Sequence, residues 1–270
     1  MRILTNSIQK QMEENNIMNS TNNSNTNKNQ SQIAGAILVA GILITGAILL
    51  KGNTIPTSNT ATNDSLASIT LSKVDVNDMT LGNPKAKVAL ILYEDFQCPF
   101  CGAISGLASD TPAIQALKQR DPSWTPFMAG IKENYIKNGK VQFVYRDWAF
   151  LGPESIKTAE AARCAGDQNK FWEYHDYLYG HQNGENEGAF SDPNLKSFAK
   201  KLSLDTSSFD KCLDSGKYTQ AVNDSRTEGS NAGVNGTPKG FILKNGKIVA
   251  TIEGAESYTT VKQKIDSALK

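Results

Sequence analysis

The sequence predicts a mixed α/β domain with a run of helices inserted between its strands. Two segments, 87–95 and 140–148, carry the apolar patterns of β-strands. A long stretch after them is rich in good helix formers, and a β-hairpin and a helix follow that stretch. Strands that flank a block of helices in this order are typical of an α/β plan with a helical insertion.

The two strand segments differ in how we expect them to be covered. Segment 87–95, KVALILYED, is almost unbroken apolar and rich in branched residues, which predicts a central strand buried on both faces. Segment 140–148, KVQFVYRDW, alternates, with Val141, Phe143 and Tyr145 on one face. This alternation predicts a second strand.

The last part of the sequence predicts a hairpin and then a helix. The stretch GFILKNGKIVATIEG contains Asn245 and Gly246, a pair typical of two-residue hairpin turns. The stretch SYTTVKQKIDSALK then repeats apolar residues every four positions, as on one face of a helix. The apolar positions of this helix are Val261, Ile265 and Leu269.

Helices dominate the stretch of about 153–230, which we interpret as the insertion. It begins PESIKTAEAARCAGDQNKFWEYHDYLYGH, and Pro153 suits a first helical position because the N–H that it lacks would have no partner there. SDPNLKSFAKKLSL and DTSSFDKCLDSGKY each open with residues that cap helices. The insertion is therefore expected to contain several helices.

The segments before the folded domain have their own compositions. Residues 1–32 are mostly Asn, Ser, Thr and Gln, with little to bury, which predicts disorder. Residues 33–50 lack charge and proline and would span about 27 Å as a helix, close to the thickness of a bilayer's hydrocarbon core. A cleaved signal peptide is the alternative, but the long polar lead and the LLKGN at the end favour an uncleaved anchor. Residues 51–70 suit a flexible tether, which leaves 71–270 for the folded domain.

Charge gives two further expectations. The formal net charge is +1, which gives no indication of a nucleic-acid partner. Arg2, Lys10 and Lys28 precede the apolar span and Lys51 follows it, a slight bias towards an N-terminus inside the cell. We therefore expect a single-pass membrane protein, held in the lipid bilayer by residues 33–50, whose folded domain lies outside the cytoplasm.

The chain contains four cysteines, and two of them form a Cys-x-x-Cys pair in YEDFQCPFCG: Cys98 and Cys101. A structural zinc site is one interpretation. Such a site usually takes two close pairs, or a pair with spaced histidines, whereas Cys164 and Cys212 are isolated. The spacing therefore favours a redox pair over a metal site.

Cys98 stands where a strand ends and a helix is expected to begin. A thiolate there meets unpaired backbone N–H groups and the positive end of the helix dipole, which lower the pKa of a cysteine. Pro99 suits the first helical position, and Cys101 lies one turn later on the same face but less exposed. We expect Cys98 to be reachable and to react with substrate, and Cys101 to close the disulfide, so that the pair carries the electrons without a cofactor.

These residues resemble the active site of the DsbA-like thioredoxin-fold family, which are extracytoplasmic thiol oxidoreductases. DFQCPFC is similar to the family's redox motif, and LGNPKAKVALILYEDF and VQFVYRDW are similar to its strands. AARCAGDQNKFWEYHDYLY resembles a helix of its inserted domain, and GVNGTPKGFIL resembles its cis-proline loop. The resemblance runs from about Val74 to Lys270 and implies a thioredoxin fold with an inserted helical domain.

The resemblance also implies a role for NGTP. It places Thr237 and Pro238 in a loop that faces the two cysteines, with a cis bond before Pro238. A cis bond there exposes the edge backbone of Thr237, which can pair with an extended substrate segment with little sequence preference. The residues alone would equally suit an ordinary trans turn.

Cys164 and Cys212 have two interpretations. They are either buried free thiols, which behave as small apolar residues, or a structural disulfide in a compartment that permits one. Some family members that look like this chain carry a second bridge. The resemblance therefore implies a disulfide between Cys164 and Cys212.

The sequence departs from the family's pattern in two places. Many members have an acidic residue six positions before the first cysteine, where this chain has Leu92. Glu94 and Asp95 are candidate proton-transfer groups in its stead, and simple solvated carboxylates are the alternative. Segment 103–139 is longer than usual and predicts two helices with a break around Trp124. It is expected to form a lip over the active site or an unrelated surface loop.

The aromatic run FWEYHDYLY, 171–179, has two interpretations. Phe171, Tyr174 and Leu178 fall at helical spacing, which favours core packing over a substrate groove. His175 is interpreted as a satisfied helix residue and not as a metal ligand.

We expect the protein to introduce disulfides into unfolded or folding exported proteins that carry free thiols, and a membrane redox partner to reoxidise it. Phe100 stands where strongly oxidising members often have a histidine, so the reduction potential should be less extreme. A reductase or isomerase on the same fold is therefore the first alternative. A non-catalytic binding or chaperone module is the second.

Overall fold

The computed structural model describes residue 66 and residues 68–108 and 110–270. The predicted N-terminal tail, the predicted anchor and most of the predicted tether lie outside these residues. Among the helices that the described residues form, none combines the length and the apolar character needed to cross a membrane.

The strands of the described chain form one five-stranded sheet. They are β1 (Met79–Leu81), β2 (Val88–Glu94), β3 (Val141–Asp147), β4 (Lys239–Lys244) and β5 (Lys247–Glu253). The helices are α1 (Pro99–Ser105), α2 (Pro112–Arg120), α3 (Met128–Ile131), α4 (Pro153–Gly166), α5 (Phe171–Tyr179), α6 (Asp192–Lys201), α7 (Thr206–Asp214), α8 (Thr219–Asn231) and α9 (Tyr258–Leu269). A π-helical turn, Lys132–Ile136, continues α3.

Strand β2 lies at the centre of the sheet, as its apolar sequence predicts. The strand order is β1-β3-β2-β4-β5. Strand β2 runs parallel to β3 and antiparallel to β4, and the two edge strands are antiparallel to their neighbours. Because helices and loops cover both faces, Leu90, Ile91 and Leu92 have no exposed surface.

Two apolar cores flank the sheet, one on each face. Leu90, Leu92 and Phe143 point into the larger core, which also takes side chains from α1, α5 and α9. Ile91 and Phe241 point into the smaller core on the other face. The alternation of side chains along a strand produces this division, and it carries Glu94 to the same side as Leu92.

The helical insertion consists of α4 to α8, between β3 and β4. The single stretch predicted from Pro153 divides after Gly166, because Asn169 adopts a left-handed backbone with φ 58°. The bond from the Lys170 N–H to the Ala165 carbonyl, 2.9 Å, closes this turn. A disulfide joins Cys164 of α4 to Cys212 of α7 and so fastens two helices of the insertion together.

Several side chains of segment 103–139 pack into the core. It forms α2, a break, and α3 with its π turn, as its prolines predict. Phe127 and Ile131 have no exposed surface. Trp124 Nε1 donates to the Ala255 carbonyl at 2.9 Å, which fixes the break against the loop before α9.

Candidate active site

The fold places Cys98 between the end of β2 and the start of α1. Its backbone is extended, with φ −65° and ψ 118°, and Pro99 occupies the first turn of the helix. The Cys98 N–H donates to the Asp95 carbonyl at 3.0 Å, and the Cys98 carbonyl accepts from the Gly102 N–H at 3.1 Å. Cys98 is therefore the N-cap residue of α1, where free N–H groups favour a thiolate.

The two sulfurs are free thiols with opposite acidities. A hydrogen bond from the Cys101 thiol lowers the pKa of Cys98 to about 7; burial opposes this shift, while Thr237 and the backbone N–H groups of Phe100 and Cys101 support it. Burial raises the pKa of Cys101 well above its ordinary value, and the negative charges of Cys98 and Glu94 add to the effect. Cys98 is thus the more acidic thiol of the pair, and Cys101 is the one that keeps its proton.

Cys98 has less exposed surface than its sequence position suggests. Only 4% of Cys98 is exposed, although Cys101, at 0%, is the more buried of the two, as expected. The Thr237 carbonyl oxygen lies 3.4 Å from Cys98 Sγ, so the loop that faces the cysteine also covers it. Phe100 is exposed beside it.

The loop between α8 and β4 carries Thr237 and Pro238, and the peptide bond between them is cis. Pro238 is buried, whereas Thr237 is partly exposed. Within the described chain the Thr237 hydroxyl has no hydrogen-bond partner. This hydroxyl is therefore free to donate to a Cys98 thiolate, in agreement with the lowered pKa of Cys98.

Asp95 lies close to the cysteines, but its carboxylate is committed to other partners. It accepts hydrogen bonds from the N–H groups of Gln97, Phe150 and Leu151 at 2.8, 2.9 and 3.2 Å. It also accepts from the Ser155 hydroxyl at 2.7 Å. These bonds fasten the end of β2 to the loop after β3 and to α4, so the geometry gives Asp95 a positioning role.

The Glu94 side chain is buried, as that of Asp95 is. Glu94 is 3% exposed, and burial, with a contribution from the Cys98 charge, raises the pKa of Glu94 to about 8. Glu94 lines a cavity of about 130 Å³, together with His175 and Tyr179. The proton of Glu94 can therefore move near neutral pH.

His175 is only partly satisfied, which corrects its interpretation from the sequence. Its Nδ1 lies 2.9 Å from Asp176 Oδ1, whereas its Nε2 is buried with no hydrogen-bond partner in the described residues. The Tyr179 hydroxyl is likewise buried and unpartnered there. The aromatic run as a whole packs in the core, as its spacing predicts.

The start of α1 is held by a polar residue that no sequence pattern singled out, Gln182. Gln182 Nε2 donates to the Phe96 carbonyl at 2.6 Å and to the Cys98 carbonyl at 3.0 Å. A Cβ at Gly102 would lie 1.9 Å from Gln182 Oε1, which explains a glycine directly after the second cysteine. That glycine was the one available signal, because Gln182 lies in a polar loop far along the chain.

The family comparison agrees with this geometry. The profile of a family described as Thioredoxin matches residues 74–111 and 123–267, and the chain belongs to this family. Its redox motif, cis-proline loop and helical insertion make it a DsbA-like member. A Cys-x-x-Cys pair on this fold defines the class of enzyme, a thiol–disulfide oxidoreductase.

Among individual relatives, one that is named for disulfide bond formation supports the same class. The chain is 26% identical to the probable disulfide bond formation protein D of Bacillus cereus over 196 residues, 71% of this chain and 78% of that protein. It is 29% identical over 167 residues to the Na(+)/H(+) antiporter NhaA 1 of Salinispora arenicola, 61% of this chain, and spans only 21% of that protein. The structure of oxidised BdbD from Bacillus subtilis has the same fold, with a TM-score of 0.58 at 19% identity over 72% of this chain and 93% of BdbD.

Proposed function

We propose that this enzyme introduces disulfides into exported proteins. The observation that carries the proposal is the contrast between the two cysteines, one with its pKa lowered to about 7 and the other with its pKa raised. A low thiolate pKa stabilises the reduced form of the enzyme and so makes its disulfide a better oxidant. The relative named for disulfide bond formation supports the same direction.

The reaction begins with the Cys98–Cys101 disulfide. A substrate thiolate attacks Cys98 Sγ, a mixed disulfide forms, and the Cys98–Cys101 bond breaks with Cys101 leaving as a thiolate. Because burial raises the pKa of Cys101, this thiolate takes up a proton at once, and Glu94 is the group placed to give it.

The second half of the reaction releases the product. A second substrate thiolate attacks the substrate sulfur of the mixed disulfide, and Cys98 leaves as a thiolate that the N-cap position stabilises. The substrate has lost two electrons, and the enzyme is now a dithiol. A membrane redox partner then reoxidises the cysteine pair. The pair itself carries the electrons, so the enzyme needs no prosthetic group.

Substrates are expected to bind as extended segments. In this proposal the backbone of Thr237 pairs with the substrate chain, and the partly exposed Thr237 beside the exposed Phe100 supports it. Because Cys98 itself is almost covered, a flexible segment reaches it more easily than a folded surface does. Unfolded or folding chains are therefore the proposed substrates.

Residues 33–50 are proposed as the anchor that holds the enzyme in the membrane, with the N-terminus inside and the catalytic domain outside the cytoplasm. The support is the uninterrupted apolar sequence of that segment and the extracytoplasmic character of DsbA-like relatives.

A disulfide reductase or isomerase remains the second candidate, because one observation favours it. The side chain of Phe100 cannot donate a hydrogen bond to Cys98, and a pKa of about 7 is a moderate shift for a cysteine. When the pKa of the thiolate is lowered only to about 7, the dithiol form is stabilised less, and the disulfide is a weaker oxidant than one whose thiolate has a still lower pKa.

Trapping and redox equilibrium together test the direction. Cys101→Ala cannot resolve a mixed disulfide, so it should accumulate adducts between Cys98 and exported proteins, and Cys98→Ser should accumulate none. Equilibrium of the wild-type protein with glutathione should give a potential well above that of thioredoxin, about −270 mV. A potential at or below that value would overturn the oxidase proposal, and full activity in Cys98→Ser would overturn catalysis itself.

A further inference from the structure

Lysines cluster at the end of the sheet opposite to the end that carries the cysteines. The loops at this end are 82–87, 137–140 and 244–247, and their sequences contain no Asp or Glu. We call this surface the basic end, after its six lysines: Lys85, Lys87, Lys137, Lys140, Lys244 and Lys247. The formal net charge of the whole chain is only +1, so positive charge is concentrated here.

Strand pairing brings the loops of the basic end together. Val88, the first residue of β2, pairs with Lys244 of β4 and with the first residue of β3. Lys244 in turn pairs with Lys247 across the hairpin. The Asn245 N–H donates to the Lys87 carbonyl at 2.8 Å, which joins the hairpin turn to the loop before β2. The sheet therefore holds the lysine-bearing loops side by side on a rigid surface.

Most of the charge of the basic end is not neutralised by carboxylates of the domain. Lys137 is paired with Glu133. Among the described residues, no carboxylate forms an ion pair with any of the other five lysines. Four of these five are exposed: Lys85, Lys87, Lys140 and Lys247. Clustered cations of this kind attract an anionic surface that comes within a Debye length, about 10 Å at 0.1 M salt.

The described part of the chain also begins at the basic end. Leu66 lies in an open groove of about 980 Å³, and Lys85, Lys87 and Lys247 line the same groove. The predicted tether, residues 51–65, separates Leu66 from the predicted anchor, and a flexible chain of this length spans about 20 Å on average. A tether attached at this point keeps lipid headgroups within reach of the basic end.

The opposite end of the sheet carries the active site and has a different charge. Strand β2 has seven residues, a rise of about 23 Å, between the basic end and the loop that leads to Cys98. The loop after α5 lies beside Cys98, because its Gln182 donates to the Cys98 carbonyl at 3.0 Å. Glu185 and Glu187 of that loop are exposed. An anionic surface attracts the lysines and repels these carboxylates, so charge favours one orientation of the domain.

We propose that the basic end binds the anionic headgroups of membrane lipids and so holds the cysteine pair on the side of the domain that faces away from the bilayer. The inference rests on the oxidoreductase function and the anchor proposed above, and it identifies the surface that orients the enzyme. Exported chains then meet Cys98 on the open side. The contact depends on charge and is reversible, so the domain can turn on its tether to reach a membrane redox partner.

Acetylation of lysines in vesicles tests this orientation. The full chain is reconstituted into vesicles of phosphatidylcholine, or of phosphatidylcholine mixed with phosphatidylglycerol, and mass spectrometry follows the reaction of each lysine with an uncharged acetylating reagent. In the mixed vesicles the exposed lysines of the basic end should react roughly fivefold more slowly, the factor that corresponds to the attraction of one lysine to an anionic surface. This protection should disappear at about 1 M salt, where the Debye length is about 3 Å. Exposed lysines of the insertion should react equally in both kinds of vesicle: Lys200, Lys201 and Lys211.

Two variants with the same change of charge separate this contact from a general effect of charge. The first replaces exposed lysines of the basic end: Lys85→Gln, Lys87→Gln, Lys140→Gln and Lys247→Gln. The second replaces exposed lysines elsewhere: Lys118→Gln, Lys200→Gln, Lys201→Gln and Lys211→Gln. Lys73, which lines the groove, and Lys244 remain in both variants as reporters. They should lose their protection in the first variant and keep it in the second.

Three results would overturn the proposal. The first is equal acetylation of the basic end in neutral and in mixed vesicles, whether its lysines are open to solvent in both or are covered in both by another copy of the chain. The second is protection that survives at about 1 M salt, and the third is protection of the reporters in the first variant. Failure of the proposed function is read separately, from full activity in Cys98→Ser, and failure of the anchor is read from loss of the wild-type chain from neutral vesicles.

Discussion

At the scale of single residues, the site depends on two groups whose pKa values shift in opposite directions, although burial acts to raise both. Cys98 is nearly covered, yet hydrogen bonds to its sulfur outweigh the desolvation of its thiolate. Glu94 has no such support, so burial keeps it protonated near neutral pH. One deprotonated sulfur and one protonated carboxyl at the same pH are what a reaction with both a nucleophile and an acid requires.

The raised pKa of Glu94 makes a prediction about stability. In the unfolded chain Glu94 ionises near its ordinary value of 4.5, whereas the folded protein retains the proton until about pH 8. Such a group contributes stability that is complete below the unfolded pKa and is lost as pH rises towards the folded pKa. Urea unfolding should therefore show that Glu94→Gln has a higher free energy of unfolding than the wild type at pH 7.5, by several kcal/mol. At pH 4 the two proteins should have equal free energies of unfolding.

Glu173→Gln is the control for this measurement, because Glu173 lies at the surface of α5 beside Lys170. Its effect on urea unfolding should be small at both pH values. An equal stability difference for Glu94→Gln at pH 4 and pH 7.5 would contradict the assignment of a protonated Glu94.

At the scale of elements, sequence patterns identified those with strong apolar signals. Strands β2 and β3, the hairpin and α9 were all predicted, because burial on a regular face gives a clear periodicity. Helix α8 was not, since only Val222 and Gly229 of its residues are buried. Strand β1 was missed as well, because its three residues at the edge of the sheet are too few for a pattern.

The disulfide between α4 and α7 makes the prediction for this scale. It closes a loop of 48 residues, which by the chain-entropy estimate contributes about 4 kcal/mol. The double variant Cys164→Ala with Cys212→Ala should lose roughly that much unfolding free energy in urea. The alkylation pKa of Cys98 should not move, because neither cysteine contributes to it. Unchanged stability, or a shifted Cys98 pKa, would contradict a purely structural bridge.

At the scale of the whole molecule, sequence motifs located the Cys-x-x-Cys pair and the proline loop, but not the side chains that surround them and shift their pKa values. Three features depend on contacts between residues distant in sequence: the small exposed fraction of Cys98, the unpartnered polar atoms of His175 and Tyr179, and the hydrogen bond from Gln182. A local sequence pattern does not predict such contacts. The motif therefore predicted the chemistry, and the packing determined how accessible and how acidic its groups are.

The proposed anchor gives a prediction for the full chain. The protein should remain with membranes through an alkaline carbonate wash, and protease added outside intact protoplasts should remove the folded domain. Leu43→Arg places a charge near the middle of the apolar segment, at a cost of about 3 kcal/mol, and should weaken retention. Ser58→Arg, in the predicted tether, is the control and should not. Release of wild-type protein by carbonate would contradict the anchor.

The position of β4 in the sheet bears on when the enzyme becomes active during its own synthesis. Strand β2 pairs with β4, for example Leu92 with Gly240. Thr237, which supports the Cys98 thiolate, is followed by Pro238 and then by the first residue of β4. Both arrive long after Cys98 has left the ribosome. Until they do, Cys98 lacks the contribution of Thr237, so its pKa reaches its full downward shift only when the last strands of the sheet have formed.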